Sequence, residues 1–208
     1  MLDPQAPIPA ELVHEAFVLT PLTVDNAALD HAAYMASPDV IRKHSDGRWP
    51  VDGFTVDDDR AQVARHQADH EARRAFTFAL LSPARDKSLG CLYLNPLCAY
   101  LHRAGADTAT LTRFPAGSAM VTFWLRQDQQ DTGLADVVIR AVGTWLVAEW
   151  PLSAHLFRCL PTERCTRDAL EKSSLRPVAL RLTAEKRPYL WYQADHRSTR
   201  CSRPGGGS

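Results

Sequence analysis

Ten residues between an apolar run and a helical stripe carry the most specific chemistry in the chain: Arg126-Gln127-Asp128-Gln129-Gln130-Asp131-Thr132-Gly133-Leu134-Ala135. Gly133 and the small Ala135 stand where a helix begins, so backbone N–H groups there can approach a phosphate. The unpaired N–H donors of a first helical turn and the helix dipole both favour such an anion. A single glycine at this place can equally serve only to ease a tight turn. Downstream, Glu163, Thr166 and Arg167 open a second helical segment with a carboxylate, a hydroxyl and a guanidinium. Glu163 can take a proton as a general base, or sit as a solvated first-turn carboxylate stabilised by the dipole. Tyr93, inside an apolar run, offers a hydroxyl to the same chemistry or packs as a half-buried strand aromatic.

Three further groups are weighed against plainer readings. Trp49 and Phe54 beside Asp46 and Asp52 can cradle a cationic amine, or form an acidic loop that caps the next helix through Asp57. His66 and His70 share one helix face at i, i+4, a spacing that can hold a metal. With no HExxH pattern and no third ligand they are read as solvated polar-face residues, and no metal is expected. Cys159 and Cys165 lack the His or Asp partners of a nucleophile and read as packing residues.

These groups need elements to hold them. Phe17-Val18-Leu19 is the first expected strand, ended by Pro21, and a helix over Val24 to Met35 stops before Ser37-Pro38. A polar stretch from His44 to Asp59 leads into a helix over Val56 to Arg73. Phe76 to Leu81 and Leu89 to Leu94 form a hairpin across the turn at Ser82-Pro83. Leu101 to Ser118, with Gly105, Pro115 and Gly117, reads as an irregular surface excursion. Ala119 to Leu125 is a β-rich run. Leu134, Val137, Val138, Ala141, Val142, Trp145 and Leu146 then follow a helical stripe without a miss, and Trp150-Pro151 ends it. His155 to Leu160 is a strand, Glu163 to Lys172 a short helix, and Val178 to Leu182 and Tyr189 to Tyr192 the last two strands. About seven strands and about four helices are therefore mixed in one α/β (α+β) domain with a central mixed sheet.

At 208 residues the chain has the length of one domain with a sizeable core. Lys+Arg 24 against Asp+Glu 24 leaves no net charge, which argues against a coat for nucleic acid or an anionic membrane surface. No apolar run reaches the roughly 18–20 residues that span a bilayer. Five cysteines without a CxxC pair, and no charged-then-apolar leader, suggest a reduced cytoplasmic protein. Residues 1–196 are taken as the domain and 197–208, with a Gly-rich end, as a flexible tail or an expression remnant. The neutral total hides a polarity: residues 1–71 hold 5 basic and 13 acidic side chains, whereas residues 158–208 hold 11 and 5.

The segment from Phe123 to Ala135 resembles the acyl-CoA-binding motif of the GNAT acetyltransferase superfamily, where a strand runs into Arg/Gln-x-x-Gly-x-Gly/Ala and then a helix. Gln130, Gly133 and Ala135 occupy the signature positions, and Glu171-Lys172 is similar to the segment closing the family's last helix. The order of elements matches from Phe17 to about Tyr192. The resemblance implies a GNAT-like domain using acetyl-CoA, or another acyl-CoA, as co-substrate. The acceptor would be a small-molecule primary amine or a peptide N-terminus, acylated by direct attack in a ternary complex. Trp124, Leu125 and Arg126 would lie along the pantetheine arm and polarise the carbonyl, and Gln130 through Ala135 would hold the pyrophosphate. Arg167 would reach a CoA phosphate. Glu163, Tyr93 and Thr166 would supply base and acid, and Asp46, Trp49, Asp52 and Phe54 the acceptor side. An exposed edge strand allows a homodimer. Asp131, Glu163 at the usual asparagine position and a missing last-helix tyrosine depart from the pattern. They favour the alternative of a non-catalytic GNAT-fold protein, a CoA-ligand sensor or protein-interaction module.

Overall fold

The computed structural model describes residues 6–45, 47–49 and 51–194. Asp46 and the 197–208 tail therefore lie outside the described residues. An eight-stranded sheet runs in the order β1 (Leu12–His14), β2 (Phe17–Pro21), β3 (Phe76–Leu81), β4 (Ser88–Pro96), β5 (Ala119–Leu125), β6 (His155–Cys159), β8 (Leu190–Gln193), β7 (Arg176–Pro177). Every neighbouring pair is antiparallel except β5 and β6. All residues of β3 and β5 are buried, so both read as unbroken apolar runs rather than alternating ones.

The stripe identified in the sequence forms α6 (Leu134–Glu149). Its Val138, Ile139, Val142, Trp145 and Leu146 pack on Phe78, Leu80, Leu92, Leu94, Val121 and Phe123. Beside it lies α7 (Arg164–Lys172). The opposite sheet face carries α1 (Ala27–Met35), entered through a 3-10 turn at Val24–Asn26, then α2 (Pro38–His44) and α3 (Val56–Glu71). These cover Ala79, Leu81, Cys91 and Trp124. Thr55 caps α3 by accepting from Asp58 N–H, and the Asp58 carboxylate accepts from Thr55 N–H. Further along that face, α4 (Leu97–Arg103) and α5 (Thr108–Arg113) flank a cluster of Leu97, Leu101, Phe114, Met120, Leu156 and Trp191.

Three short helices thus add to the four expected. The Leu101–Ser118 excursion contains α5 and the last three residues of α4, whose apolar residues recur over too few turns to stand out as periodic. The strand expected over Val178 to Leu182 is replaced by β7 and a single bridge between Leu182 and Ala106. Its alternation is real: Val178, Leu180 and Leu182 pack against the Leu97–Trp191 cluster, but the backbone forms no ladder. Among the described residues no helix is long and apolar enough to cross a membrane, and Cys91, Cys98, Cys159 and Cys165 have free thiols.

Candidate active site

β5 and β6 pair only at Ala119–His155, Met120–Leu156 and Val121–Phe157. Beyond Val121 they separate, while β5 stays paired to β4 through Leu125. Ala119 N–H donates towards β6 and Arg126 N–H donates to Leu89 on the β4 side. Alternation along the strand then turns the N–H groups of Phe123 and Leu125 into the gap, and those of Trp124 and Arg126 towards β4. The gap opens into a cleft of about 510 Å³ lined by Phe123, Trp124, Leu125, Gln130, Asp131, Glu163 and Thr166, among others.

The mouth of the cleft is the turn identified in the sequence. Gln130 donates its side-chain amide to the Leu125 carbonyl at 2.7 Å, which holds the turn against the end of β5. Gly133 caps α6 with φ at +81°, in the left-handed region that favours glycine. No atom lies within 4 Å of where its Cβ would stand, so the approach to the first turn of α6 is open. Thr132 Oγ1 donates to the Gln129 carbonyl, and Leu134 and Ala135 are buried beneath the turn. Asp131 is exposed at the rim. The N–H groups of that first helical turn have no partner within the helix, which leaves a site for an anion.

One wall is α2, an element absent from the sequence reading. Ser37-Pro38 marks a helix stop, but serine followed by proline at the first helical position is also a start signal. Buried Ser37 accepts from Gln127 N–H at 3.0 Å and donates to Ala33, joining α1, α2 and the exit of β5. α2 brings Asp39, Val40 and Lys43 to the cleft and His44 to Glu163. His44 Nδ1 lies 2.9 Å from Glu163 Oε1, across 119 residues of sequence. Leu160 N–H donates to the other carboxylate oxygen at 2.6 Å. Burial pushes the Glu163 carboxyl up, but His44, the Leu160 N–H and Arg187 outweigh it and hold the group below its usual value. Glu163 is thus a partnered, partly buried carboxylate, not the solvated first-turn residue that was the plainer expectation. His44 is the candidate site residue missed by sequence reasoning; nothing in the local pattern joins positions 44 and 163.

No family model matches the chain, and no curated protein matches it. Its likeness is to solved structures. The acetyltransferase (GNAT family) from Bacillus anthracis superposes with TM-score 0.61 at 14% identity, covering 88% of this chain and 96% of that one. The ribosomal-protein-S5-alanine acetyltransferase from Vibrio fischeri gives 0.60 at 14%, covering 91% and 98%. The microcin C7 self-immunity acetyltransferase, solved with acetyl-CoA and AMP, gives 0.61 at 13%, covering 89% and 96%. The chain has the GNAT acetyltransferase fold.

Within that GNAT fold the other expected residues fall in several places. Thr166 is buried and faces the cleft. Arg167 is not among the lining residues. It donates to the Pro161 carbonyl and to Asp168, so its charge is engaged away from the cleft, which Arg164 lines instead. Tyr93 lies behind the cleft on β4, accepting from Trp124 Nε1 at 3.2 Å and stacked on His44. Burial drives its hydroxyl pKa well above the ordinary value, which keeps it protonated and unsuited to act as a base.

Trp49, Asp52 and Phe54 line a separate 330 Å³ hollow against α3, and Trp49 and Phe54 pack on Tyr34. The expected amine cradle therefore does not open onto the cleft. His66 and His70 are not solvated: His66 Nδ1 lies 3.1 Å from Thr77 Oγ1, and His70 packs edge-on against Phe76 and Phe78. Burial lowers the pKa of both. Beneath the same helices, Asp30 of α1 and Asp59 of α3 are buried, each with one carboxylate oxygen lacking a partner. Burial, then the charge of Asp59, raises Asp30 to about 7. Burial, partly offset by His31, raises Asp59 to about 6.

Proposed function

We propose that the protein is an acyl-CoA-dependent N-acyltransferase that moves an acetyl or related acyl group to a primary amine. The observation that carries this reading is the early end of the β5–β6 pairing above a cleft whose mouth is the open, glycine-capped start of α6. The pantetheine arm lies along the gap, where Phe123 and Leu125 offer unpaired N–H groups to the thioester. The pyrophosphate meets the first turn of α6. Preorganised N–H donors at a developing oxyanion are worth several kcal/mol, roughly 100-fold or more in rate.

His44 is the general base, oriented by Glu163 through Nδ1. The amine nitrogen attacks the thioester carbonyl, the C–N bond forms and the C–S bond breaks. The amine proton passes to His44, and the departing thiolate takes a proton, for which the buried Thr166 hydroxyl of the cleft wall is the proposed donor. A depressed carboxylate pKa suits Glu163 to orienting an imidazole better than to taking the proton itself.

The test is thermal stability with and without acetyl-CoA. Ligand at 100 times its Kd contributes about 2.7 kcal/mol and raises the melting temperature. Gly133→Asn keeps a residue that tolerates the left-handed region while filling the open space before α6. The expected result is a ligand-free melting temperature near that of the parent with the acetyl-CoA shift abolished. No shift in the parent at millimolar acetyl-CoA overturns the reading. Thiol release across a panel of amines then separates a catalyst from a protein that only senses the ligand.

A further inference from the structure

Past the last β5–β6 pair, Arg158 of β6 turns to the sheet face that carries α2 and α4. Trp191 stands opposite it on β8, and the guanidinium lies 3.8 Å from the ring centre of Tyr189, 4.8 Å from that of Tyr100 and 5.5 Å from that of Trp191. Its Nε–H is buried without an acceptor. Among the described residues, the carboxylates around this cluster are Glu163, which acts on the guanidinium, and Glu185, which the Tyr100 hydroxyl contacts, and both are committed. Glu163 holds His44 and Leu160 N–H, and Glu185 accepts from the Tyr100 hydroxyl and, at 3.4 Å, from Arg187 N–H. Burial is the largest influence on the guanidinium and lowers its pKa, as does Arg187, against the pull of Tyr189 and Glu163. An arginine remains charged under such shifts, so this is a half-buried cation walled by aromatic faces, with no ion pair of its own among the described residues.

Aromatic walls satisfy the flat faces of a guanidinium and leave its edge for in-plane hydrogen bonds. A carboxylate is the planar anion that fits such an edge. The Glu163 carboxylate of the His44–Glu163 pair acts on the Arg158 charge, and Arg187 acts on both. Arg187 joins the two regions: it donates to the Tyr189 hydroxyl on one side and to the Lys43 carbonyl, at the end of α2, on the other.

We propose that Arg158 is an acceptor-binding residue and that the amine acylated by this protein carries a carboxylate, seated on the Arg158 guanidinium between Tyr100 and Tyr189. This rests on the reading of the cleft as an acyltransferase site and adds the substrate class. The carboxylate orients the amine towards His44, and its charge neutralises the cation that the fold leaves unpaired.

The experiment is thiol release by the full chain with saturating acetyl-CoA, using paired acceptors. The pairs are β-alanine against propylamine and glutamate against glutaminamide. A third pair, the peptide amides Ala-Glu-Ala and Ala-Gln-Ala, distinguishes a small amino acid from an acidic peptide N-terminus. The carboxylate member of at least one pair is expected to have a kcat/KM higher by about 10- to 100-fold, the scale of one or two charge-assisted hydrogen bonds. Arg158→Met should level that pair, mainly through KM, and Arg158→Lys should keep part of the preference. Retention of the acetyl-CoA thermal shift shows that each variant is folded. Equal use of both members of every pair by the parent, or an unchanged preference in Arg158→Met, overturns the proposal. If no amine is acylated, acetyl-CoA binding decides the cleft separately. Arg158 is then judged by whether glutamate stabilises the parent more than glutaminamide does, and Arg158→Met no longer. No difference between the two ligands overturns it.

Discussion

Two places in the molecule bury carboxylates, with opposite results. Glu163 receives His44 and the Leu160 N–H, and its pKa falls in spite of burial. Asp30 and Asp59 are as hidden, and against burial Asp30 meets only the like charge of Asp59 while Asp59 has no more than a partial offset from His31, so both rise. Burial raises a carboxylate; hydrogen-bond donors decide whether it stays raised. The partnered acid lines the cleft, where it holds His44. The unpartnered pair lies inside the α1–α3 packing, where it costs stability once ionised.

The largest expected effect comes from breaking the partnered site. Glu163→Gln keeps the shape of the side chain but removes the charge that orients and stabilises a protonated His44. We expect a fall in kcat of about 100-fold, the lower range of general-base contributions, with little change in acetyl-CoA binding. Steady-state thiol release and the acetyl-CoA thermal shift measure the two separately. Since the folded pKa of Glu163 lies below its unfolded value, its contribution to stability is present above pH 4.5 and is lost as pH falls through the folded pKa. The variant should lack that acid-side loss.

Supplying a donor to the unpartnered site should act in the other direction. Asp30 has a folded pKa of about 7 against an ordinary 3.8, so the folded state keeps a proton that the unfolded state has released. Its stabilising effect is complete below about pH 4 and is lost as pH rises through about 7. Asp30→Asn is neutral throughout, and its amide can donate to Asp59. We expect the variant to be more stable than the parent at pH 8 by about 1–2 kcal/mol, and the two to converge near pH 4. Denaturant melts across that range test it; a parent whose stability is flat from pH 4 to 8 contradicts the assignment.

The contrast also explains how much was legible in the sequence. The α6 stripe and β5 were read at their true extents because burial there imposes one period over many residues. The turn at Gln130, Gly133 and Ala135 is visible because these three residues fall together between an apolar strand and a striped helix, the order of the motif they resemble. Partnership between distant residues leaves no such trace. Glu163 was singled out as a helix-start carboxylate, yet what tunes it is His44, on a seven-residue helix too short for its periodicity to register. Asp57-Asp58-Asp59 read as one acidic run, although Asp58 caps α3 at the surface while Asp59 is buried beside α1. Trp49 and Phe54 were recognised as an aromatic pair, but the face they meet is set by Tyr34, which no local pattern discloses.

The smallest effect tests whether Asp30 and Asp59 act as one unit. Asp59 is raised only to about 6, with His31 offsetting part of the cost, so Asp59→Asn should stabilise the protein at pH 8 by less than Asp30→Asn, about 1 kcal/mol or below. Asp59 charge is itself one cause of the rise at Asp30, so removing it relieves its neighbour as well. The two substitutions then overlap: the double variant should gain less than the sum of the singles, by about 0.5 kcal/mol or more, because the repulsion can be removed only once. At pH 4, where the folded state holds both carboxyls protonated, that coupling should vanish. Strict additivity at pH 8 would mean that each aspartate bears its burial alone.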